Sequence, residues 1–261
     1  MSRGFAATSL GQMHYRERGA GAPLVLLHRT PDSSTMWDDV VACLAERFRT
    51  IAPDTPGFGD SDAPSSPPEI ADYARAVVDV LDALGIGRAH LLGHRTGATV
   101  AVEVAAAFPD RVDRLALSGL VDYPPDDRRP TITVEAGPEL SIDGSHYADR
   151  WARVRAAWPW ATPEQIHRTV IDGLRANANW QWAGEAVRRY TLGDRAPLVT
   201  APTLLLYGAT DRFAAWVPHH LTIFPNAQSL LLSGGHDLTM LQQPAEFCRV
   251  VRVFLEEGGP G

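Results

Sequence analysis

The residues that bear most directly on chemistry are Gly93-His94-Arg95-Thr96-Gly97. They follow the apolar run Ala89–Leu92 and open a helical pattern over Thr96–Phe108, so they form a strand-to-helix turn. The side chain between the two glycines is Arg95. A guanidinium stays protonated at any ordinary pH and has no lone pair with which to attack. The turn therefore offers a fixed cation, and a buried cation needs a partner. Two kinds are open. An internal carboxylate such as Asp32 or Asp122 would make Arg95 a structural plug. An anionic or strongly polar group on a substrate would make it an anchor.

Three further turns carry polar side chains where apolar strands end: His28-Arg29-Thr30-Pro31, Gly208-Ala209-Thr210-Asp211 and Gly234-Gly235-His236-Asp237. Arg29 is expected to pair with a nearby acid, Asp54 or Asp60, or else to touch substrate. His28 and His94 are expected to hold loop geometry through hydrogen bonds. His219-His220 reads as a solvated helix start, and no ligand spacing calls for a metal. Cys43 and Cys248 sit in helical patterns and read as buried thiols, not as a disulfide framework.

These turns need strands and helices to position them. Phe5–Ser9 and Gln12–Arg18 read as short strands joined at a glycine. Pro23–His28 holds Leu24-Val25-Leu26-Leu27, the continuous apolar run of a strand buried on both faces. A helix (Trp37–Glu46), a strand (Phe48–Pro53), a Gly/Pro/Asp-rich loop (Asp54–Asp62) and a helix (Glu69–Leu84) follow. The strand Ala89–Leu92, its helix, and the strand Val112–Ser118 complete a run of alternation. That pattern predicts a parallel sheet with helices on both faces. The alternation stops over 122–202, where Pro-rich loops separate helical stretches at Ser145–Trp158, Thr162–Ala176 and Trp180–Thr191. Thr162 and Gln165 form a capping box, with Pro163 at the first helical position. The pattern resumes with a strand (Thr203–Gly208), a helix (Val217–Phe224), a strand (Ala227–Leu232) and a helix (Ala245–Glu256). The organisation expected is an α/β core over 1–121 and 203–261, with a helical cap over 122–202. Trp151, Trp158, Trp160, Trp180 and Trp182 lie in the cap. They read as core anchors, with Trp151 and Trp180 lining a cleft.

The 261 residues suffice for one large domain with a sizeable core. A net charge of −7 argues against nucleic acid as the partner. No run is apolar enough to span a membrane. The first residues lead into strand-like sequence and lack the apolar core of a signal peptide, so a cytoplasmic protein is expected. The expected partner is a small molecule, with no cofactor, and the chain is expected to be a monomer or homodimer. All 24 Lys/Arg positions are Arg, so Arg95 is not marked out merely by being Arg rather than Lys.

Taken together, these motifs resemble the capped α/β-hydrolase superfamily of haloalkane dehalogenases, epoxide hydrolases and esterases. The resemblance spans nearly the whole chain. Gly93–Gly97 is similar to the G-x-S-x-G nucleophile elbow. His28–Pro31 is similar to the family's H-G-x-P loop, and Asp54–Asp62 to its D-x-P-G-F-G-x-S loop. Asp211 and His236 stand where the family places its acid and histidine. The fold implied is a mostly parallel eight-stranded sheet flanked by helices, with an inserted helical cap. The resemblance further implies an oxyanion hole from the Thr30 and Thr96 N–H groups, and an Asp211 that orients His236 as general base. Two departures stand out. Arg95 replaces the Ser, Cys or Asp nucleophile, and Arg29 replaces the loop glycine. Covalent intermediates therefore do not carry over. The function expected is an enzyme without a covalent step. His236 would act as base, the oxyanion hole would meet a carbonyl, and Arg95 would hold a carboxylate or enolate, with Arg29, Trp151 and Trp180 at the substrate. Hydrolysis by activated water, elimination, isomerisation or cyclisation would fit, as in secondary-metabolite tailoring. The alternative is a small-ligand-binding protein descended from a hydrolase.

Overall fold

The computed structural model describes residues 1–122, 139–176 and 178–257. Its strands are β1 (Ser2–Thr8), β2 (Gly11–Arg18), β3 (Ala22–Leu27), β4 (Phe48–Pro53), β5 (Ala89–His94), β6 (Val112–Ser118), β7 (Thr203–Gly208) and β8 (Ala227–Leu232). They form one sheet in the order β1-β2-β4-β3-β5-β6-β7-β8. β2 pairs antiparallel with β1 and with β4, and every other pair is parallel. The helices are α1 (Asp38–Leu44), α2 (Ile70–Ala83), α3 (Thr96–Ala107), α4 (Ser145–Ala157), α5 (Pro163–Ala176), α6 (Ala178–Arg189), α7 (Leu192–Arg195), α8 (Val217–Ile223), α9 (Thr239–Gln242) and α10 (Pro244–Glu257). This is the mostly parallel eight-stranded α/β-hydrolase fold that the motifs implied.

The sequence dictates the centre of the sheet. Every residue of β5 is buried, as are Leu24–Leu27 of β3. Their apolar runs suit strands covered on both faces. α2 buries Ile70, Tyr73, Ala74, Val77, Val78 and Leu81 from one stripe. Its start is fixed by Asp72, whose carboxylate accepts the Glu69 N–H at 2.8 Å. The edges depart from expectation. β1 begins at Ser2, because the ladder with β2 runs unbroken from Ser2–Glu17 to Thr8–Gly11. The helix expected from Trp37 starts instead as a 3-10 turn over Ser34–Trp37, capped by Ser33, before α1.

Between β6 and β7 the chain leaves the sheet for α4 to α7. Part of the expected cap, residues 123–138, lies outside the described residues. The expected capping box at α5 forms: Gln165 Oε1 accepts the Thr162 N–H at 3.0 Å, and Thr162 Oγ1 accepts the Gln165 N–H at 3.3 Å. Val154, Trp158, Ile166 and Val170 join the core that also holds α1 and α10. Ala176, Trp180, Ala183 and Val187 join the core beneath α2 and α3. α5 and α6 lie against the loops that follow β3 and β4. Asp172 accepts the Ser33 hydroxyl at 2.7 Å. Gly57 approaches Asn179 so closely that a Cβ on it would fall 2.6 Å from the Asn179 amide. Lower on the chain, the buried Glu103 of α3 takes Arg195 Nε at 2.8 Å, Arg195 Nη2 at 2.9 Å and the Tyr190 hydroxyl at 3.0 Å.

Candidate functional site

β5 ends at His94, and the next residue turns the chain into α3. Arg95 has φ 52° and ψ −117°, and is the one non-glycine with positive φ among the described residues. Such a conformation costs on the order of 1–3 kcal/mol and persists where surroundings enforce it. The flanking glycines allow the tight turn that goes with it. A Cβ on Gly93 would fall 2.3 Å from the Gly97 carbonyl oxygen, and a Cβ on Gly97 would fall 2.1 Å from that of Leu27. The elbow is therefore complete in its backbone while carrying a cation.

That cation is paired inside the protein. Arg95 Nη2 donates to Asp211 at 3.0 Å, Nη1 donates to the Gly119 carbonyl at 3.1 Å, and the guanidinium lies 4.7 Å over the Phe213 ring. Burial lowers the Arg95 pKa, and Asp211 works against that shift. The Arg95 side chain is 12% exposed and that of Asp211 only 1%. Asp211 Oδ1 also accepts the Phe213 N–H at 2.9 Å. Neither carboxylate expected for Arg95, Asp32 or Asp122, is its partner. Asp32 is taken by Arg29, and Asp122 lies 3.4 Å from His220.

The expected Asp211–His236 pair does not form. Asp211 is committed to Arg95, and His236 turns Nδ1 to the Thr210 hydroxyl instead. Thr210 Oγ1 donates its proton to the Gly235 carbonyl at 3.1 Å. His236 is exposed, and its backbone N–H donates to Gln242 Oε1 at 2.8 Å.

Arg29 departs from expectation in the same way. Its partner is Asp32 at 2.7 Å, and its guanidinium lies 4.6 Å over the Trp158 ring. Asp54 and Asp60 are unavailable to it. Asp54 accepts the Ser34 N–H, the Asp60 N–H and His14 Nδ1, and Asp60 pairs with Arg175. Arg29 keeps a negative φ, so the loop holds a side chain where the family has glycine without left-handed backbone. Among the described residues, neither the Thr30 nor the Thr96 N–H has a hydrogen-bond acceptor.

The tryptophans chosen from sequence do not join this cluster. Trp180 is buried under the Arg150 guanidinium, 4.4 Å from its ring, and packs on Gly173. Trp151 is 38% exposed on α4. Trp158, beneath Arg29, is the one that touches the site's residues. His28 holds its loop as expected: Nε2 accepts the Thr55 N–H at 2.8 Å and Nδ1 donates to the Arg29 carbonyl. Burial lowers its pKa, and burial beside Arg95 and Arg29 lowers that of His94 far more. His94 Nδ1 meets Ser118 at 3.1 Å. His220 is fully buried against Tyr207, not solvated. Cys43 is half-buried and Cys248 buried, and both are free. Sequence reasoning missed Thr210, Phe213 and Trp158. Only adjacency in the chain to Asp211 hinted at the first two.

The chain has the α/β-hydrolase fold and is similar in sequence to proteins of that fold. The family model described as alpha/beta hydrolase fold matches residues 22–140. An uncharacterised protein of Mycobacterium tuberculosis is 44% identical over 103 residues, 40% of this chain but only 30% of that protein's length. The haloalkane dehalogenase 2 of the same species is 29% identical over 259 residues, covering 88% of this chain and 89% of that protein. Among solved structures, the esterase RhEst1 from Rhodococcus sp. superimposes with a TM-score of 0.82 at 26% identity, over 99% of this chain and all of its own. Among the described residues, no helix is long and apolar enough to cross a membrane.

Proposed function

We propose that this chain binds a small molecule on a hydrolase scaffold and forms no acyl- or alkyl-enzyme. The Arg95–Asp211 ion pair carries this reading, because one contact withdraws two catalytic parts. Arg95 has no lone pair to attack with, and Asp211 is no longer available to orient the histidine. What the fold retains is suited to binding. Among the described residues the Thr30 and Thr96 N–H groups have no acceptor, and two such donors suit a carbonyl or carboxylate oxygen. The segment 122–202 would act as a lid over this face, where open α/β sheets hold their ligands.

One observation favours a second reading. Thr210 holds Nδ1 of His236, and a histidine positioned in this way can serve as a base that activates water without a covalent step. The two readings separate in one experiment. The purified protein is exposed to a fluorophosphonate probe, then assayed with p-nitrophenyl acetate beside His236→Ala. It is also screened by thermal shift against aryl carboxylates and lactones. The binding reading expects an unchanged intact mass, no His236-dependent turnover and a saturable thermal shift with a carbonyl or carboxylate compound. Turnover lost in His236→Ala moves the conclusion to the second reading. An adduct on the Gly93–Gly97 peptide overturns both.

A further inference from the structure

A second cavity, of about 390 Å³, lies where α5 meets the loops after β3 and β4. Neither Arg95 nor His236 lines it, so its occupancy is independent of the reading above. Among its walls are His14, Ser34, Asp54, Asp60 and Asp172. Asp60 is neutralised by Arg175 at 2.6 Å, and Arg16 on the rim is neutralised by Asp38 at 2.6 Å. Arg3 stands at the exposed mouth.

Asp172 is different. It is buried, and both of its hydrogen bonds, from Ser33 at 2.7 Å and Thr35 at 3.1 Å, are from hydroxyls to Oδ2. Among the described residues, Oδ1 accepts no hydrogen bond and no cationic group is within ion-pair reach. Two more polar atoms in the walls are also without a partner. Ser34 Oγ and His14 Nε2 belong to residues only 1% and 2% exposed, yet neither makes a hydrogen bond. The Ser34 N–H and His14 Nδ1 are both tied to Asp54. Both residues are thereby fixed in the cavity wall that also holds Asp172. Buried polar atoms left unpaired are costly and are normally satisfied by water or ligand.

We propose that this cavity is a binding site for a small organic ammonium ion, held by the Asp172 carboxylate in a wall that also contains Ser34 and His14. The free carboxylate oxygen supplies the counter-charge, and an ammonium brings three donors and no acceptor to a wall of unfilled acceptors. A divalent metal is a poorer match, since it asks for six or more close oxygen ligands and most carboxylate oxygens here are already engaged. Burial, with Asp32 and Asp54 nearby, raises the Asp172 pKa to about 6. Other charged groups lining the cavity are Arg175 on its own helix, His14, Asp60, Arg16, Arg3 and the α-amino group of Met1. Ammonium binding should accordingly strengthen as Asp172 ionises.

The test titrates the full chain, in amine-free cacodylate buffer, with ethanolamine and with its neutral counterpart ethylene glycol, by calorimetry. Sodium chloride at matched ionic strength and calcium chloride serve as controls. Ethanolamine is expected to bind saturably and ethylene glycol not to bind. Affinity should be about tenfold higher near about pH 7.5 than near about pH 5, following ionisation of the carboxylate. Asp172→Asn, checked for native folding by circular dichroism, should weaken binding at least about tenfold, the loss of a charge-assisted contact. Ser34→Ala should weaken it less. Equal binding by Asp172→Asn, binding of ethylene glycol, calcium binding in ethanolamine's place, or no saturable binding at tens of millimolar would each overturn the proposal.

Discussion

Nη2 of Arg95 lies 3.0 Å from both carboxylate oxygens of Asp211. A residue where a hydrolase carries its nucleophile thus holds the residue that would have been its acid. The pair explains why the strained backbone of Arg95 persists. Its guanidinium is fixed by Asp211 and the Gly119 carbonyl, and packs on Phe213. Gly119, at φ 55°, has a left-handed backbone that favours glycine, and a Cβ there would crowd both Arg95 Nη1 and Asp211 Oδ2 at 3.1 Å.

The pair should therefore be structural as well as functional. Arg95→Ala leaves a buried carboxylate without its cation, and breaking a buried pair from one side typically costs about 3–5 kcal/mol. The positive φ gives no relief, because alanine also has a Cβ. Urea unfolding of Arg95→Ala should show a loss of about 3 kcal/mol, with Arg95→Ala/Asp211→Asn recovering part of it. Arg95→Ala unfolding at the wild-type midpoint would show that the guanidinium is not a plug.

Asp172 sets a pH dependence of a defined sign. Its folded-state pKa is raised from 3.8 to about 6, chiefly by burial and then by Asp32. A raised pKa means that the folded state prefers the protonated acid. Stability from this group is full below the unfolded pKa and is lost as pH rises through about 6. A shift of roughly 2 units is worth about 3 kcal/mol. Asp172→Asn keeps an acceptor for Ser33 and Thr35 but carries no charge. It should flatten the wild-type decline between about pH 4 and pH 6 and be more stable above it, by up to about 3 kcal/mol. Asp54 acts oppositely. Its hydrogen bond from His14 and its neighbours outweigh its burial and lower its pKa to about 2, so its contribution fades only as pH falls from about 4 toward 2. Parallel stability curves for the two proteins across this range would contradict the assignment to Asp172.

Which features were legible in the sequence follows from what fixes each of them. The sheet centre was legible because Leu24–Leu27 and Leu91-Leu92 have one physical solution, a strand buried on both faces. The elbow was legible because Gly93 and Gly97 meet backbone at 2.3 and 2.1 Å, a constraint that only glycine satisfies. The pairing of charges was not. Arg95 and Arg29 each had several acids within reach of a long side chain, and the choice depended on loop geometry far apart in sequence. Asp211 is 116 positions from Arg95, and Asp172 is 139 positions from Ser33. Neither distance leaves a local pattern. Trp180 misled for a related reason: a tryptophan beside a cleft and one in a core look alike until Arg150 is seen lying over the ring.

Restoring a hydroxyl on the elbow tests how much of the hydrolase site survives. Arg95→Ser supplies the missing nucleophile on a backbone already held at the elbow's φ and ψ. It also releases Asp211 from its cation. Arg29 is no obstacle, since its backbone is not left-handed and its side chain is turned away to Asp32 and Trp158. The remaining defect is His236, whose Nδ1 is held by Thr210 and not by Asp211. A serine without a correctly oriented base reacts slowly, and a positioned base typically contributes about 100- to 10,000-fold. Arg95→Ser should therefore take up a fluorophosphonate on the Gly93–Gly97 peptide, where the wild type does not. It should hydrolyse p-nitrophenyl acetate measurably but poorly. Thr210→Val, added to it, removes the competing hydroxyl and should raise that rate by letting the imidazole turn to Asp211. His236→Ala added to Arg95→Ser should abolish the gain. If Arg95→Ser is folded, yet takes no label and gains no rate, the oxyanion hole assigned to Thr30 and Thr96 does not exist in this protein.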